Sequence, residues 1–330
     1  MAEPLLAVDD LHVQFDTRDG IVRAVNGMSF TLGQGETIAI LGESGSGKSV
    51  TAQAIMGILD PSIASIARGS ITFQGRELVG LPEKQYRAIR GAQISMIFQD
   101  ALSALNPVIS VGSQVAEMFR VHGGASRSSA KAQAIEVMEH VGIQGAAARY
   151  GDYPHQFSGG MRQRIMIAMM IAMRPAIVIA DEPTTALDVT VQAQIMELLQ
   201  ALQRETGTGL ILITHDLGVV AAVAQRIVVM YAGRVMEQGL VDDIYARSAN
   251  PYTRDLLDSI PRLDARMGRL PAIPGLPPNL LQLPDGCAYH LRCRRADARC
   301  AQGSAPALDL VAPDHRSACW FAGEVMRGER

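Results

Sequence analysis

The sequence predicts an α/β protein built on a mostly parallel sheet with helices on both faces. Three observations carry that expectation. Short apolar segments alternate with segments of helical length through the second half of the chain. One apolar strand candidate runs into a glycine-rich loop and then a helix. Another ends in two acidic residues. With 330 residues, 48% of them hydrophobic, the chain can bury one large domain and a small one.

The elements follow in order. Residues 5–33 alternate apolar and polar positions around Asp19-Gly20, which predicts an antiparallel hairpin at the edge of the fold. Thr37-Ile38-Ala39-Ile40-Leu41 reads as a buried strand. Gly42-Glu43-Ser44-Gly45-Ser46-Gly47-Lys48-Ser49 then fits the phosphate-loop pattern G-x-x-x-x-G-K-[ST] at every position, and a helix is predicted to Met56. The glycines let backbone N–H groups turn inward around a polyphosphate, and the helix N-terminus adds partial positive charge. Lys48 can reach the outer phosphates and the Ser49 hydroxyl can ligate Mg²⁺. A Gly/Ser-rich surface turn holding a lysine by chance would lack the flanking strand and helix. The chain is therefore expected to bind a nucleoside triphosphate.

Strands are predicted at Ile71–Phe73 and Ile94–Phe98. Residues 105–155 lack obvious strands and contain a helical pattern over Ala130–Val141. A helix at about 162–172 precedes the apolar strand Ile177-Val178-Ile179-Ala180. A helix (191–205), a strand (Leu210–Thr214), a helix (217–224) and a strand (Ile227–Met230) complete the alternation. Composition changes after Ser259, and Pro271–Pro278 reads as a proline-rich linker or surface strap.

Asp181-Glu182-Pro183 follows the apolar strand. In a phosphate-loop fold Asp181 holds Mg²⁺ and Glu182 orients or deprotonates the attacking water. Alone, such a pair is more often the start of a solvated loop. Phe157-Ser158-Gly159-Gly160-Met161-Arg162-Gln163-Arg164 forms a third constellation, a Ser-Gly-Gly turn opening a helix and thus another anion-binding arrangement.

In the order phosphate loop, Ser-Gly-Gly helix, Asp-Glu strand end, the chain resembles the ABC-type ATPases. Ser158–Gln163 resembles their signature motif, usually Leu-Ser-Gly-Gly-Gln, with Phe157 and Met161 as departures. The resemblance implies an ABC-type phosphate-loop NTPase fold: a RecA-like core, an antiparallel β subdomain and a helical subdomain at about 105–160. It assigns ATP to Gly42, Ser44, Gly45, Ser46, Gly47, Lys48, Ser49 and Val50, with Mg²⁺ held by Ser49, Gln99 and Asp181. Glu182, the switch histidine His215 and the glutamine-loop Gln99 would act in hydrolysis. Ser158, Gly159 and Gly160 would close on the ATP of a second ATPase subunit, and Asp188, in Ala186-Leu187-Asp188, would lie on the loop where two subunits communicate. Phe15 lies where the family stacks an aromatic on adenine, although a core hairpin residue is an equal reading of it.

The loop through Val50, Phe98-Gln99-Asp100, Asn106-Pro107, Tyr153–Met161 and Asp181–Thr190 are similar to ATPase subunits of dipeptide and oligopeptide importers. The tail, with Asn250-Pro251-Tyr252 and Gly286-Cys287, resembles that group's C-terminal extension. This implies residues 1–260 as the ATPase domain and 261–330 as the extension. It also implies a related second ATPase, two membrane permeases, which insert a short helix beside Gln99–Pro107, and an external solute-binding protein. Relatives with this tail move nickel, glutathione or peptide antibiotics. A soluble ABC ATPase acting on DNA or ribosomes is the alternative. The net charge of −3 gives no sign of a nucleic-acid partner. No apolar run approaches the roughly 20 residues a spanning helix needs. The expected location is therefore peripheral, on the cytoplasmic face of the inner membrane.

All four cysteines, Cys287, Cys293, Cys300 and Cys319, lie in the last 44 residues. Four thiolates suit an iron–sulfur cluster or Cys₄ zinc, and unligated thiols are the third reading. The resemblance implies a [4Fe–4S] cluster, with Arg292, Arg294, Arg295 and Arg299 offsetting its charge. An ordinary solvated basic face is an equal reading of those arginines.

Overall fold

The computed structural model describes residues 3–100, 104–185, 187–259 and 273–329. The expected boundary between residues 260 and 261, and Pro271 of the proline-rich stretch, lie outside them. The chain falls into two compact units. One contains Met1–Leu5, Leu32–Glu36 and Gly80–Ile213, and the other contains Leu6–Thr31, Thr37–Val79 and Thr214–Arg330.

In the first unit the strands Ile94–Ile97, Ile177–Asp181 and Gly209–Ile213 pair in parallel, with Ile94 opposite Ile177 and Ile179 opposite Ile211. Every residue of all three is buried. That burial is why they read as mostly apolar runs, broken only by Ser95 and the terminal Asp181, and not as alternating ones. The predicted helices appear as Arg127–His140, Gly159–Ile171 and Val189–Thr206. Val111–Val121 is a further helix, whose buried Val111, Val115 and Phe119 recur every four residues. It packs against the helices Arg127–His140 and Gly159–Ile171. No strand occurs among the described residues from 105 to 155.

In the second unit Leu6–Thr17 and Gly20–Leu32 form the expected hairpin, turning at Arg18-Asp19. Ala64–Phe73 pairs antiparallel with the first of these strands and adds the two-residue strand Arg76–Glu77. Thr37–Leu41 runs parallel to Arg226–Tyr231. Next to that strand come Arg234–Leu240, His315–Ser317 and Asp309–Ala312, each antiparallel to its neighbour. The tail therefore extends this sheet. Its Tyr289 and Ala288 are buried in one apolar cluster with Leu41, Val229, Tyr231 and Tyr252.

A buried polar network fastens the same region. Glu237 and His315 are fully buried and meet at 2.7 Å. Glu237 also accepts the Ala249 N–H at 2.5 Å, and the Ser317 hydroxyl donates to the Ala249 carbonyl at 3.0 Å. Asn250 caps the helix Pro251–Asp258 by accepting the Tyr252 N–H at 3.0 Å. Its amide donates to the carbonyls of Met236 at 2.9 Å and Ala318 at 3.3 Å. One side chain thus starts a helix and ties two strand ends to it.

Asn250→Ala is expected to cost about 2–4 kcal/mol, since it deletes a cap and leaves two buried carbonyls short of a donor. Urea unfolding followed by the fluorescence of Trp320, the single tryptophan of the chain, should show a lower midpoint at unchanged slope. An unchanged midpoint would refute this account of the network.

Candidate active site

The phosphate loop leaves the buried strand Thr37–Leu41 and enters the helix Lys48–Met56. Its shape follows from close backbone packing. Gly42 has φ 151°, and a Cβ there would lie 2.2 Å from the Met230 carbonyl oxygen. Gly47 has φ 103°, with the Ala24 carbonyl oxygen 2.3 Å from where a Cβ would stand. No larger residue fits either position. Gly45, at φ 76°, faces open space. Ser44 and Gly45 are exposed, Ser49 and Val50 half-buried, and Ser46 and Lys48 buried. The Lys48 ammonium donates to the carbonyls of Gly42 at 2.7 Å and Glu43 at 2.9 Å, so the loop is curled around its own lysine. His215 is exposed at the loop before the helix Leu217–Val223, which Asp216 caps. Phe15 is half-buried in the hairpin, opposite Ala64.

The other unit holds the acidic pair. Asp181 is buried at the end of its strand. Glu182 follows with φ 46°, a left-handed conformation that is costly for a side-chain-bearing residue and is found chiefly where function holds it. Its N–H donates to the Ile213 carbonyl at 2.8 Å. One carboxylate oxygen accepts from the Gln99 amide and from the Thr185 hydroxyl, each at 2.8 Å. Gln99 and Glu182, 83 residues apart, are thus brought together.

Ser158 caps the helix Gly159–Ile171, accepting the Met161 N–H at 3.4 Å. Ser158 and Gly159 are exposed and Gly160 is half-buried. A Cβ on Gly160 would meet Val191 at 2.8 Å, so glycine lets this helix lie close to the next. Phe157, the departure from leucine, is buried, with the Arg149 guanidinium 4.1 Å from its ring centroid. Asp188 caps the helix Val189–Thr206 through the Val191 N–H at 3.0 Å. Ala186 lies outside the described residues.

Sequence reasoning passed over Gln163. Its buried amide donates to the Pro183 carbonyl at 2.6 Å and ties the Ser-Gly-Gly helix to the Asp181-Glu182 turn. The available signal was an uncharged polar residue between Arg162 and Arg164, on the face of the helix shared with the apolar Met166 and Ile167.

Residues 25–185 match the family model for the ABC transporter, and residues 236–300 match that for the oligopeptide/dipeptide transporter C-terminal region. The chain is 50% identical to the oligopeptide transport ATP-binding protein OppD of Haemophilus influenzae, over 97% of this chain and 98% of that protein. It is also 50% identical to the dipeptide transport ATP-binding protein DppD of Bacillus subtilis, over 97% and 95%. The chain belongs to this family of ABC transporter ATP-binding proteins. A solved ATP-binding cassette, a dimer in a post-hydrolysis state bound to ADP and Pi, matches with TM-score 0.64 at 26% identity. That match covers 72% of this chain and 98% of the other. The ABC-type fold expected from the sequence is therefore established.

The iron–sulfur expectation is not. Among the described residues of this ABC protein no group of three or more His, Cys, Asp or Glu side chains is arranged to hold a metal ion. Cys287, Cys293, Cys300 and Cys319 do line one cavity, but it measures only about 20 Å³. That is room for roughly one water, not for a four-iron cubane. Burial pushes the Cys287 thiol up to about 11 and Cys319 up to about 12, and raises Cys293. Three of the four arginines read as cluster counter-charges have other partners. Arg292 pairs with Glu43, Arg295 with Glu324 at 3.2 Å and Arg299 with Asp297 at 3.0 Å.

Three thiols with raised folded values bind their protons more tightly than the unfolded chain does. For Cys287 and Cys319 that contribution to stability is complete below the ordinary thiol value of 9.0 and is lost as pH rises through about 11 and about 12. Thiolate absorbance of the native protein should therefore appear at higher pH than that of the urea-unfolded chain. Native thiols that titrate together with the unfolded ones would contradict the burial argument.

Proposed function

We propose that this chain is the ATP-hydrolysing subunit that powers a peptide importer. The membership just described makes it an ATPase coupled to peptide transport. The observation that carries the catalytic assignment is Glu182. It sits in a strained left-handed conformation just past a buried strand, with its carboxylate held by Gln99 and Thr185. A carboxylate so fixed is suited to align and deprotonate a water, a role worth roughly 10²–10⁴-fold in rate.

The loop residues Gly42, Ser44, Gly45, Ser46, Gly47, Lys48, Ser49 and Val50 are assigned to the triphosphate, and Phe15 to the adenine face. Ser49, Gln99 and Asp181 supply hydroxyl, amide and carboxylate oxygens, a hard donor set that fits Mg²⁺. Magnesium, when bound, offsets charge on the phosphoryl oxygens. His215 is assigned to the γ-phosphate side of the reaction. Ser158, Gly159 and Gly160 carry an exposed helix N-terminus, an anion-binding arrangement of N–H groups that supports a role toward a partner subunit's nucleotide, and Asp188 belongs to the same contact.

The partners proposed are a related second ATPase, two permeases and, indirectly, an external binding protein. The domains proposed are residues 1–260 and 261–330. Among the described residues no helix is long and apolar enough to cross a membrane. That supports a peripheral subunit on the cytoplasmic face of the inner membrane.

Glu182→Gln in the assembled transporter should keep ATP binding and lower turnover by at least about a hundredfold, because the amide keeps the shape and loses the base. Hydrolysis within about twofold of wild type would sink the role. Ser158→Arg should leave ATP binding by the isolated chain intact and abolish ATP-dependent dimerisation, read by light scattering. Loss of binding by the isolated mutant chain would show that Ser158 serves its own nucleotide.

A further inference from the structure

Glu43 is the second residue of the phosphate loop, and it places a carboxylate in a segment that must surround a polyanion. Uncompensated, that charge would oppose every phosphate that enters. The compensation comes from 249 residues further on. Arg292 meets Glu43 fork to fork, Nη1 to Oε2 at 2.5 Å and Nη2 to Oε1 at 2.9 Å. The Arg292 side chain is 5% exposed, so salt screens the pair weakly.

Arg292 is itself immobilised. Its Nε donates to the Pro274 carbonyl at 2.8 Å and its Nη1 to the Tyr231 hydroxyl at 3.1 Å. Its guanidinium lies 5.7 Å and 5.9 Å from the ring centroids of Tyr231 and Tyr289. Those rings lie 5.2 Å apart, and Tyr252 packs against them at 4.6 Å and 5.1 Å between centroids. The Tyr252 hydroxyl accepts the Glu43 backbone N–H at 3.0 Å. Side chain and backbone of one loop residue are thus both held by residues from the last third of the chain. The Glu43 carbonyl, in turn, accepts from the Lys48 ammonium at 2.9 Å.

We propose that Arg292 is a positioning residue for ATP: it neutralises Glu43 and sets the loop segment on which Lys48 rests, so that the C-terminal extension contributes directly to nucleotide affinity. The proposal rests on the reading of residues 42–49 as the triphosphate site. Charge is the core of the effect, so it grows with the number of phosphates and is undone when the opposing carboxylate is removed.

The test is calorimetric titration of the purified full chain with ATP and with ADP. Arg292→Met should weaken ATP binding by about tenfold or more, and ADP binding less, because a desolvated carboxylate is left unpaired. Adding Glu43→Gln to Arg292→Met should recover ATP affinity to within about threefold of wild type, because the uncompensated carboxylate is then gone. A loss equal for ATP and ADP and not rescued by Glu43→Gln would mean a merely structural role and would overturn the proposal. So would ATP affinity unchanged in Arg292→Met. Should Arg292→Met fail to fold, Arg292→Gln carries the test, since it also removes the charge while keeping a polar donor for the Pro274 carbonyl. A drop rescued by Glu43→Gln supports the proposal, and no drop overturns it. Wild-type chain that does not bind ATP would instead remove the phosphate-loop reading itself.

Discussion

Two carbonyl oxygens decide what the phosphate loop can be. Those of Met230 and Ala24 stand where Cβ atoms of residues 42 and 47 would have to go, at 2.2 and 2.3 Å. The loop is therefore bare backbone at both ends, pressed against a parallel strand on one side and the hairpin on the other. Its curvature is set by that close backbone packing. Lys48, buried within that curve, already points its ammonium along the loop carbonyls. A site preorganised in this way loses little conformational freedom when a polyphosphate arrives.

Strain plays the corresponding part in the other unit. Glu182 is kept at positive φ by the bond from its N–H to Ile213 and by the two donors on its carboxylate. One of those donors comes from the loop that carries Gln99. Gln163 links the neighbouring Pro183 to the Ser-Gly-Gly helix. The Gly160–Val191 approach locks that helix against the one Asp188 begins. A shift of the Ser-Gly-Gly helix is thus mechanically a shift of the turn that carries the general-base candidate. On the proposed reading, that coupling is the route by which subunit closure would gate hydrolysis.

The sequence announced whatever depends on local period and steric exclusion. The apolar runs Ile177–Asp181 and Gly209–Ile213, the glycines of the loop and the hairpin at Arg18-Asp19 all fall in this class. It was silent where short polar strands are added at a sheet edge. Arg234–Leu240, Asp309–Ala312 and His315–Ser317 are half polar, and the pairing of Glu237 with Ser317 joins segments far apart in the chain. It misled at the cysteines. Four thiols gathered in one tail read as a metal site, yet cysteine is also one of the most readily buried side chains, and spacing alone does not separate the two. The Arg292–Glu43 pair had no sequence signature at all, because nothing local marks a partner 249 residues away.

The tail's proline content and weak apolar period argue against a core of its own, and the structure resolves how it is ordered without one. Tyr289 and Ala288 enter the cluster around Tyr231 and Tyr252, while His315 and Ser317 close the polar network on Glu237 and Ala249. The extension therefore borrows its core from the strands that flank the phosphate loop. A segment stabilised this way cannot loosen without disturbing its host. The three tyrosines are where that dependence bears on chemistry, because they hold Arg292 and, through Tyr252, the backbone of Glu43. The tail and the phosphate loop are accordingly parts of one packing unit, although they stand at opposite ends of the chain.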